Sequence, residues 1–314
     1  MTKPKLIVIT GPTATGKTAL GALLAKTLNA EVVSADSMQI YKFMNIGTAK
    51  PAESEMLGIA HHMLDIIPPW EDYSAARYTK DASKCINSII ERNKVPIVVG
   101  GTGLYIDSLI SGRSFSAKGD IELRRELEQE YDHIGGEAML HKLRSFDHIR
   151  ADKLHANDKK RVVRALEAYL ISGKTISQHD LETRSAAPLY DAKKFALSFS
   201  DRAELYARID RRVDTMLENG LIDEVQGLLD MGVSPACTAM QAIGYKEIVE
   251  VLSGDCDIDS AADKIKMESR RYAKRQLTWF RKDTSIEWIM MDNERALGSD
   301  EFLAMTVADI AERL

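Results

Sequence analysis

Short β-branched runs alternate with longer stretches of helical periodicity along much of the chain. Apolar runs at 6–10, 31–34, 96–99 and 195–198 predict four strands. Apolar residues at helical spacing predict helices over 14–28, over 205–217 with an end near Gly220, and over 262–280. Strands separated by helices are typical of a parallel sheet covered on both faces, so we predict an α/β fold.

The segment between Lys118 and Pro188 has a different character. It is charged and helix-forming and contains no pattern of a buried strand. We therefore predict a smaller all-helical insertion domain at 118–190. The sheet core is then formed by 1–117 and by 191–314, which includes C-terminal helices.

Composition limits the classes of function. The 314 residues, 45% of them hydrophobic, suffice for one large core or two modest ones. Three well-separated cysteines favour a reducing compartment, and no apolar stretch approaches the about 18 residues that span a bilayer. We expect a cytoplasmic protein that does not enter membranes. With a formal net charge of −5, any RNA binding must come from a local basic surface.

A phosphate-binding loop, or P-loop, follows the first predicted strand. The residues at 11–18 match its pattern at every fixed position and precede a predicted helix. Backbone N–H groups and the helix N-terminus favour phosphate oxygens there, Lys17 adds a charge, and the Thr18 hydroxyl is placed to bind Mg²⁺. The predicted phosphate-binding residues are Gly11, Thr13, Ala14, Thr15, Gly16, Lys17 and Thr18. The fold prediction is thus a P-loop parallel sheet core covered by helices.

The loop indicates phosphate but not a reaction. Kinases, nucleotide hydrolases and transferases that use diphosphates all have such loops. The third strand is followed by glycines at 100, 101 and 103 without the acidic residue that commonly supports Mg²⁺ and water in hydrolases, which argues against hydrolysis.

Asp36 directly follows the second predicted strand. It should therefore lie at the carboxyl edge of the sheet, where ligands of open α/β folds bind. A carboxylate there can accept a proton from a nucleophile or orient it. The alternative is that Asp36 caps a helix that starts near Ser37.

Several motifs, in order, resemble those of the tRNA dimethylallyltransferases. They are SADSMQIY at 34–41, NIGTAKP at 45–51, HHMLD at 61–65, GGTGLY at 100–105, ND at 157–158 with 161–167, GK at 173–174 and RRYAKRQ at 270–276. The resemblance covers nearly the whole chain. It implies transfer of a dimethylallyl group from dimethylallyl diphosphate to N6 of the adenosine immediately 3′ of the tRNA anticodon.

The resemblance also implies roles for residues. Asp36 would take the proton from N6, Thr102 would be a hydroxyl partner of the reacting atoms, and Arg208 would contact the diphosphate with help from Arg212. From the residues alone, the preferred interpretation of the two arginines is a solvated basic face paired with Asp210 and Asp214.

The anticodon stem-loop of tRNA is the expected macromolecular partner. The resemblance places the target adenine near Asp36, Ser37, Met38, Gln39 and Thr102, and a basic helix start in the insertion adds RNA contacts. The predicted insertion contacts are Arg124, Asp158, Lys159, Lys160, Arg161 and Val162. The basic and aromatic segment 270–282 is compatible with an RNA contact or with a core helix.

Three other functions compete with the transferase. An ATP-dependent small-molecule kinase would use the same loop, and an adenylate isopentenyltransferase would share the loop and Asp36 but need no RNA-binding insertion. A nucleotide-dependent RNA-binding protein would need no catalytic carboxylate. We expect a monomer that takes dimethylallyl diphosphate and tRNA as substrates, with Mg²⁺ as cofactor.

Overall fold

The chain divides into two units, one formed by Met1–Ile110 with Tyr190–Leu314 and the other by Ser111–Leu189. The computed structural model describes residues 3–112, 119–185, 187–292 and 299–314. Within these ranges, the larger unit contains a sheet and helices, whereas the smaller unit contains helices and no strand.

Every strand pair in the sheet of the larger unit is parallel. Among the described residues the sheet has the order β3-β2-β4-β1-β5-β6. Its strands are β1 (Lys5–Thr10), β2 (Ala30–Ser34), β3 (His61–His62), β4 (Val95–Val99), β5 (Asp191–Ser198) and β6 (Ile286–Met290). This confirms the α/β fold with a parallel sheet that the hydrophobic pattern predicts.

The hydrophobic pattern did not predict the two edge strands. β3 has two residues, too few for any periodicity, and β6 mixes Glu287 and Trp288 with aliphatic residues. β5 also begins at Asp191, before the apolar run, because its first residues pair with β1 from Lys5 onward. Pairing with a neighbouring strand, rather than hydrophobicity, extends the sheet here.

Helices of the larger unit cover both faces of the sheet and also pack in a third apolar cluster. They are α1 (Lys17–Thr27), α2 (Ala75–Glu91), α3 (Gly103–Ser111, which ends at the unit boundary), α9 (Arg202–Glu218), α10 (Leu221–Asp230), α11 (Tyr245–Leu252), α12 (Ile258–Phe280) and α13 (Ser299–Glu312). Between α10 and α11 lies the 3₁₀ turn Ala239–Gln241. No helix in the described ranges has both the length and the apolar character required to cross a membrane.

Alternation along β1 explains the two-sided packing. Ile7 and Ile9 belong to a core cluster with α1, while Leu6 and Val8 belong to a second cluster with Tyr78 of α2. All four strand residues are at most 4% exposed. Burying such a side chain stabilises the fold by about 1.5–3 kcal/mol, so both layers hold the strand in register.

The strand order determines where the loops meet. β2, β4 and β1 are neighbours and run in the same direction. Their carboxyl ends therefore bring the loop after Ser34, the loop after Val99 and the P-loop after Thr10 to one edge of the sheet.

The smaller unit has its own core. Its described helices are α4 (Ile121–Ile134), α5 (Gly136–Arg144), α6 (His148–Ala151), α7 (Lys159–Ser172) and α8 (Ile176–Ser185). Leu127 of α4, Met139 and Leu143 of α5, and Val162 and Leu166 of α7 pack together with exposures of 3% or less. This apolar cluster lets the unit be stabilised by its own contacts.

Candidate active site

The P-loop is shaped by two glycines. Gly11 has φ 129°, and a Cβ added there would lie 2.4 Å from the Leu197 carbonyl oxygen. Gly16, with φ 83°, is the N-cap residue of α1, and no side chain caps this helix start by a hydrogen bond. The helix thus begins three residues later than predicted, because 11–16 is loop. Its first N–H groups retain hydrogen-bonding capacity for an anion.

Lys17 lies inside this loop rather than in solvent. Its Nζ donates to the Pro12 carbonyl at 2.5 Å. Burial first and the nearby Arg212 guanidinium second lower the pKa of Lys17 to about 7, against an opposing effect of the Asp36 carboxylate. A diphosphate beside Nζ would supply the negative charge that favours the ammonium form.

Several separate segments line one cavity at the carboxyl edge of the sheet. It contains about 640 Å³ of space between atoms, a volume that includes open solvent at its mouth. The lining includes Thr13, Lys17, Thr18, Ser34, Asp36, Gln39, Ala49, Pro51, His61, Leu64, Gly100, Gly101, Arg212, Tyr272 and Gln276. Cationic and anionic side chains therefore face a shared space.

Asp36 lines this cavity and also holds the backbone that follows it. Its Oδ1 accepts from the N–H groups of Met38 at 2.8 Å and Gln39 at 3.3 Å. The residues after it form a turn and not a helix, so the helix-cap alternative is wrong. The two bonds fix the orientation of the carboxylate relative to the cavity.

The Gln39 amide is committed to the protein itself. Its Oε1 accepts from the Ser34 hydroxyl at 3.2 Å, and its Nε2 donates to the carbonyls of Thr48 at 3.3 Å and Ala49 at 3.1 Å. A direct contact between this amide and an adenine edge would require exchange of one of these bonds. In this conformation Gln39 shapes the cavity wall.

A partly exposed carboxylate, that of Glu224, holds the segment that leads to the cavity wall. The Glu224 carboxylate accepts from three consecutive N–H groups, those of Asn45 and Ile46 at 2.8 Å and Gly47 at 3.2 Å, and from the Tyr245 hydroxyl at 2.5 Å. Successive N–H groups of this kind form a concave anion-binding turn. The carboxylate therefore links α10 to the segment that leads to Ala49.

Thr102 joins the loop after β4 to the loop after β2. Its hydroxyl accepts from the Ser37 N–H at 3.1 Å, next to Asp36. Tyr272 of α12 lies beside this junction. Burial and the negative charge of Asp36 raise the pKa of Tyr272 to about 12, although hydrogen bonds to Thr102 and Gln276 oppose the shift. The phenol stays protonated at neutral pH.

The two arginines of α9 have different surroundings. Arg208 donates from Nε to the Ala14 carbonyl at 3.1 Å and lies over the Phe199 ring, 5.2 Å from its centroid. Arg212 lines the cavity, and burial lowers its pKa despite the nearby Asp36 and Glu55. Arg208 thus binds the backbone of the P-loop, and Arg212 presents charge to the cavity.

The alternative of a solvated basic face on α9 required pairing with Asp210 and Asp214. Instead, Asp210 pairs with Arg270 at 2.5 Å and Asp214 pairs with Lys266 at 2.5 Å. Both partners belong to α12. These ion pairs fasten α12 to α9.

The sequence predicted the helix α12 but not that two of its side chains line the cavity. Tyr272 and Gln276, one helical turn apart, both line the cavity. Phe280 is 2% exposed and belongs to the core, whereas Trp279 is 40% exposed and donates to Asp107 at 2.8 Å. The sequence does indicate that Gln276 is turned inward, because it lies on the same apolar face of the helix as Ala273 and Phe280.

The neighbouring histidines have separate tasks. His62 forms a 2.7 Å bond from Nε2 to the buried Glu31 carboxylate. His61 lines the cavity, and its Nδ1 lies 2.9 Å from the Ile59 carbonyl. Burial lowers the pKa of His61, so a neutral ring faces the cavity at neutral pH.

In the smaller unit, several predicted RNA-contacting residues form ion pairs. Arg124 pairs with Glu167 at 2.9 Å, Lys159 pairs with Asp132 at 2.6 Å, and Arg161 pairs with Asp158. Glu167 is fully buried. RNA phosphates would have to compete with these carboxylates, most of all at Arg124.

Lys160 and Val162 lie on opposite sides of α7. Lys160 is exposed, but Val162 is fully buried in the core of the smaller unit. The Val162 side chain is therefore not available to RNA in this conformation, and the predicted contact of this residue would have to be made by its backbone. At this position the helical period turns the side chain inward.

Known proteins similar to this one match it over nearly the whole chain. The family model described as IPP transferase matches residues 39–283. A tRNA dimethylallyltransferase from Acetivibrio thermocellus is 48% identical over 297 residues, 94% of each chain, and one from Geobacter sulfurreducens is 46% identical over 287 residues, 91% of this chain and 92% of that one.

Solved structures give the same result. The full-length tRNA isopentenylpyrophosphate transferase of Bacillus halodurans matches with TM-score 0.73 and 41% identity, covering 99% of this chain and 96% of that one. A eukaryotic dimethylallyltransferase acting on tRNA matches with TM-score 0.81 and 30% identity, covering 98% and 80%. The chain therefore belongs to the IPP transferase family.

Proposed function

We propose that this protein transfers the dimethylallyl group of dimethylallyl diphosphate to N6 of the adenosine immediately 3′ of the anticodon in tRNA, with release of diphosphate. The main support is the cavity at the sheet edge. It is lined by Lys17 and Arg212, which suit a leaving diphosphate, and by Asp36, which suits an amine that loses a proton. Family membership supports the same reaction.

On the leaving-group side, the P-loop would hold the diphosphate. The bond between C1 of the dimethylallyl group and the diphosphate oxygen breaks, and its electron pair leaves with the diphosphate. Lys17, Arg212 and the first N–H groups of α1 would stabilise the developing negative charge. Arg208 would act indirectly, because its Nε holds the Ala14 carbonyl of the loop.

On the acceptor side, the N6 lone pair forms the new bond to C1. An amine conjugated with a purine is a poor nucleophile, so N6 must lose a proton, which Asp36 would accept. Its carboxylate is oriented by the Met38 and Gln39 N–H groups. Thr102 would support this side by holding Ser37.

The residues present fit Mg²⁺, which commonly takes one or two protein oxygens together with substrate phosphates and water. The Thr18 hydroxyl lies in the cavity lining and would serve as the protein ligand. When bound, the ion would neutralise charge on the diphosphate.

For tRNA, we propose that Ser37 and Met38 meet the bases around the target adenosine. In the smaller unit, Lys160 is an exposed cation for phosphates, with Lys159 and Arg161 available after exchange of their carboxylate partners. We also propose that the chain acts as a monomer in the cytoplasm, which light scattering and cell fractionation would test.

Two acceptors and one alternative donor separate the proposal from the two competing enzyme activities. The enzyme with Mg²⁺ is incubated with radiolabelled dimethylallyl diphosphate and either an anticodon stem-loop RNA or AMP, and in parallel with radiolabelled ATP. Label on the stem-loop adenosine, with the dimethylallyl mass increment in its nucleoside, is the expected result. Label on AMP alone would indicate an adenylate isopentenyltransferase, and transfer from ATP alone would indicate a kinase.

A further inference from the structure

A single amide connects the two sides of the proposed reaction. Gln276, 6% exposed, accepts the Thr13 N–H of the P-loop on Oε1 at 2.9 Å. Its Nε2 donates to the Gly101 carbonyl, also at 2.9 Å, in the loop after β4. The P-loop and the loop that leads to Thr102 therefore share one side chain.

The orientation of this amide follows from its partners. The Thr13 N–H can only donate and the Gly101 carbonyl can only accept, so the oxygen and the nitrogen of Gln276 cannot be exchanged. The fit is also tight, because a Cβ added at Gly101 would lie 2.2 Å from Nε2. A side chain with only a donor or only an acceptor would leave one backbone group without this partner.

The helix that carries Gln276 is firmly held. α12 has 23 residues. Its neighbours Ala273, Leu277 and Phe280 are at most 6% exposed and pack in the clusters on the two faces of the sheet. Close-packed interiors have low compressibility, so the amide is a fixed reference point for both loops.

The two loops have their own local supports. In the P-loop, the Thr15 hydroxyl donates to the Pro12 carbonyl at 2.9 Å. On the other side, Thr102 holds Ser37, beside Asp36. The Thr10 hydroxyl also joins the bases of the two loops, because it donates to the Gly100 carbonyl at 2.9 Å. Loss of Gln276 would therefore leave each half in place and change the spacing between Thr13 and Gly101.

We propose that Gln276 is a positioning residue that sets the distance between the diphosphate loop and the acceptor-side loop. The inference rests on the proposed transferase function. Positioning affects the chemical step, because a misplacement of about 1 Å between reacting groups can lower a rate by about 100-fold. Binding of the diphosphate alone depends on the P-loop and Arg212 and does not require a set distance to the acceptor-side loop.

The test compares Gln276→Leu and Gln276→Asn with wild type. Leu removes both hydrogen bonds at similar size, and Asn keeps the amide but is one methylene too short to span both partners. We expect kcat to fall by about 10- to 100-fold in both variants, while the Kd for inorganic pyrophosphate, measured by calorimetry, changes by less than about threefold. Gln226→Leu is the control, because Gln226 is an exposed glutamine whose Nε2 bonds Asp230.

Active-site titration and Tm show how much of each variant is folded, so kcat is expressed per folded site. A kcat within twofold of the control in both variants would overturn the inference. An equal loss of pyrophosphate affinity would also overturn it, because Gln276 would then serve binding. Absence of transfer by the wild type would instead overturn the proposed function, and the inference with it.

Discussion

Lys17 should take up a proton when a diphosphate binds beside it. Burial first and Arg212 second lower its pKa to about 7. A lysine with a lowered pKa carries its charge below that value and loses it as pH rises through it. A bound diphosphate stabilises the ammonium, so the pKa of Lys17 in the complex should return towards 10.5.

The size of the effect follows from the two pKa values. With a pKa of about 7, the free side chain is about 90% protonated at pH 6 and about 10% at pH 8. Binding should therefore add about 0.1 proton to Lys17 at pH 6 and about 0.9 at pH 8. The same fractions predict affinity about tenfold weaker at pH 8 than at pH 6 from this group.

Calorimetry in buffers of different ionisation enthalpy measures the protons taken up. Inorganic pyrophosphate also titrates, so the comparison is with Lys17→Arg, whose guanidinium keeps its charge, under identical Mg²⁺. The difference between wild type and variant isolates Lys17. Equal proton uptake by the two proteins at pH 8 would refute the reasoning.

Three further predictions concern single residues. Asp36→Asn should lower kcat by about 100- to 10,000-fold with little change in pyrophosphate affinity, and a smaller loss would remove its role as base. Glu31, buried at 4% exposure, has its pKa lowered to about 2 because hydrogen bonds from His62, Lys94 and Arg92 outweigh burial. The stabilisation by this carboxylate is complete above its usual pKa of 4.5 and is lost as pH falls towards 2. Glu31→Gln should therefore reduce the loss of unfolding free energy over this pH range, measured by urea unfolding, by about 1–3 kcal/mol, and an unchanged loss would contradict this. Gly11→Ala should lower the free energy of unfolding by at least about 2 kcal/mol, because the added Cβ would overlap a carbonyl. Gly254→Ala, also at positive φ but with open space around it, should lower it by about 1 kcal/mol, and equal losses in the two variants would disprove the overlap.

The strands that could be predicted from the sequence are those whose own residues form a recognisable strand pattern. β1, β2 and β4 are short buried runs that end in turns, and P-loop spacing is local, so both could be read from neighbouring residues. β3 and β6 depend on pairing partners far along the chain. Their short or mixed sequences carry no signal of their own.

The cavity shows the same division between local and distant information. Asp36 was predicted at the sheet edge because strand ends of a parallel sheet meet there, and it lines the cavity. Gln276 lies on the apolar face of α12, but which edge of the sheet that face reaches depends on packing against strands far along the chain. The alternative in which Asp210 and Asp214 pair with arginines of α9 was wrong, because helix spacing identifies neighbours on the same helix and not partners on another helix such as α12.

The order of the strands has a consequence for synthesis on the ribosome. β1 emerges first, yet it lies between β4 and β5, and β5 is translated only at Asp191–Ser198. The long sequence separation of these pairings gives the larger unit a high contact order, which slows folding. Until β5 emerges, one edge of β1 is unpaired and is a site where nascent chains can aggregate or recruit a chaperone.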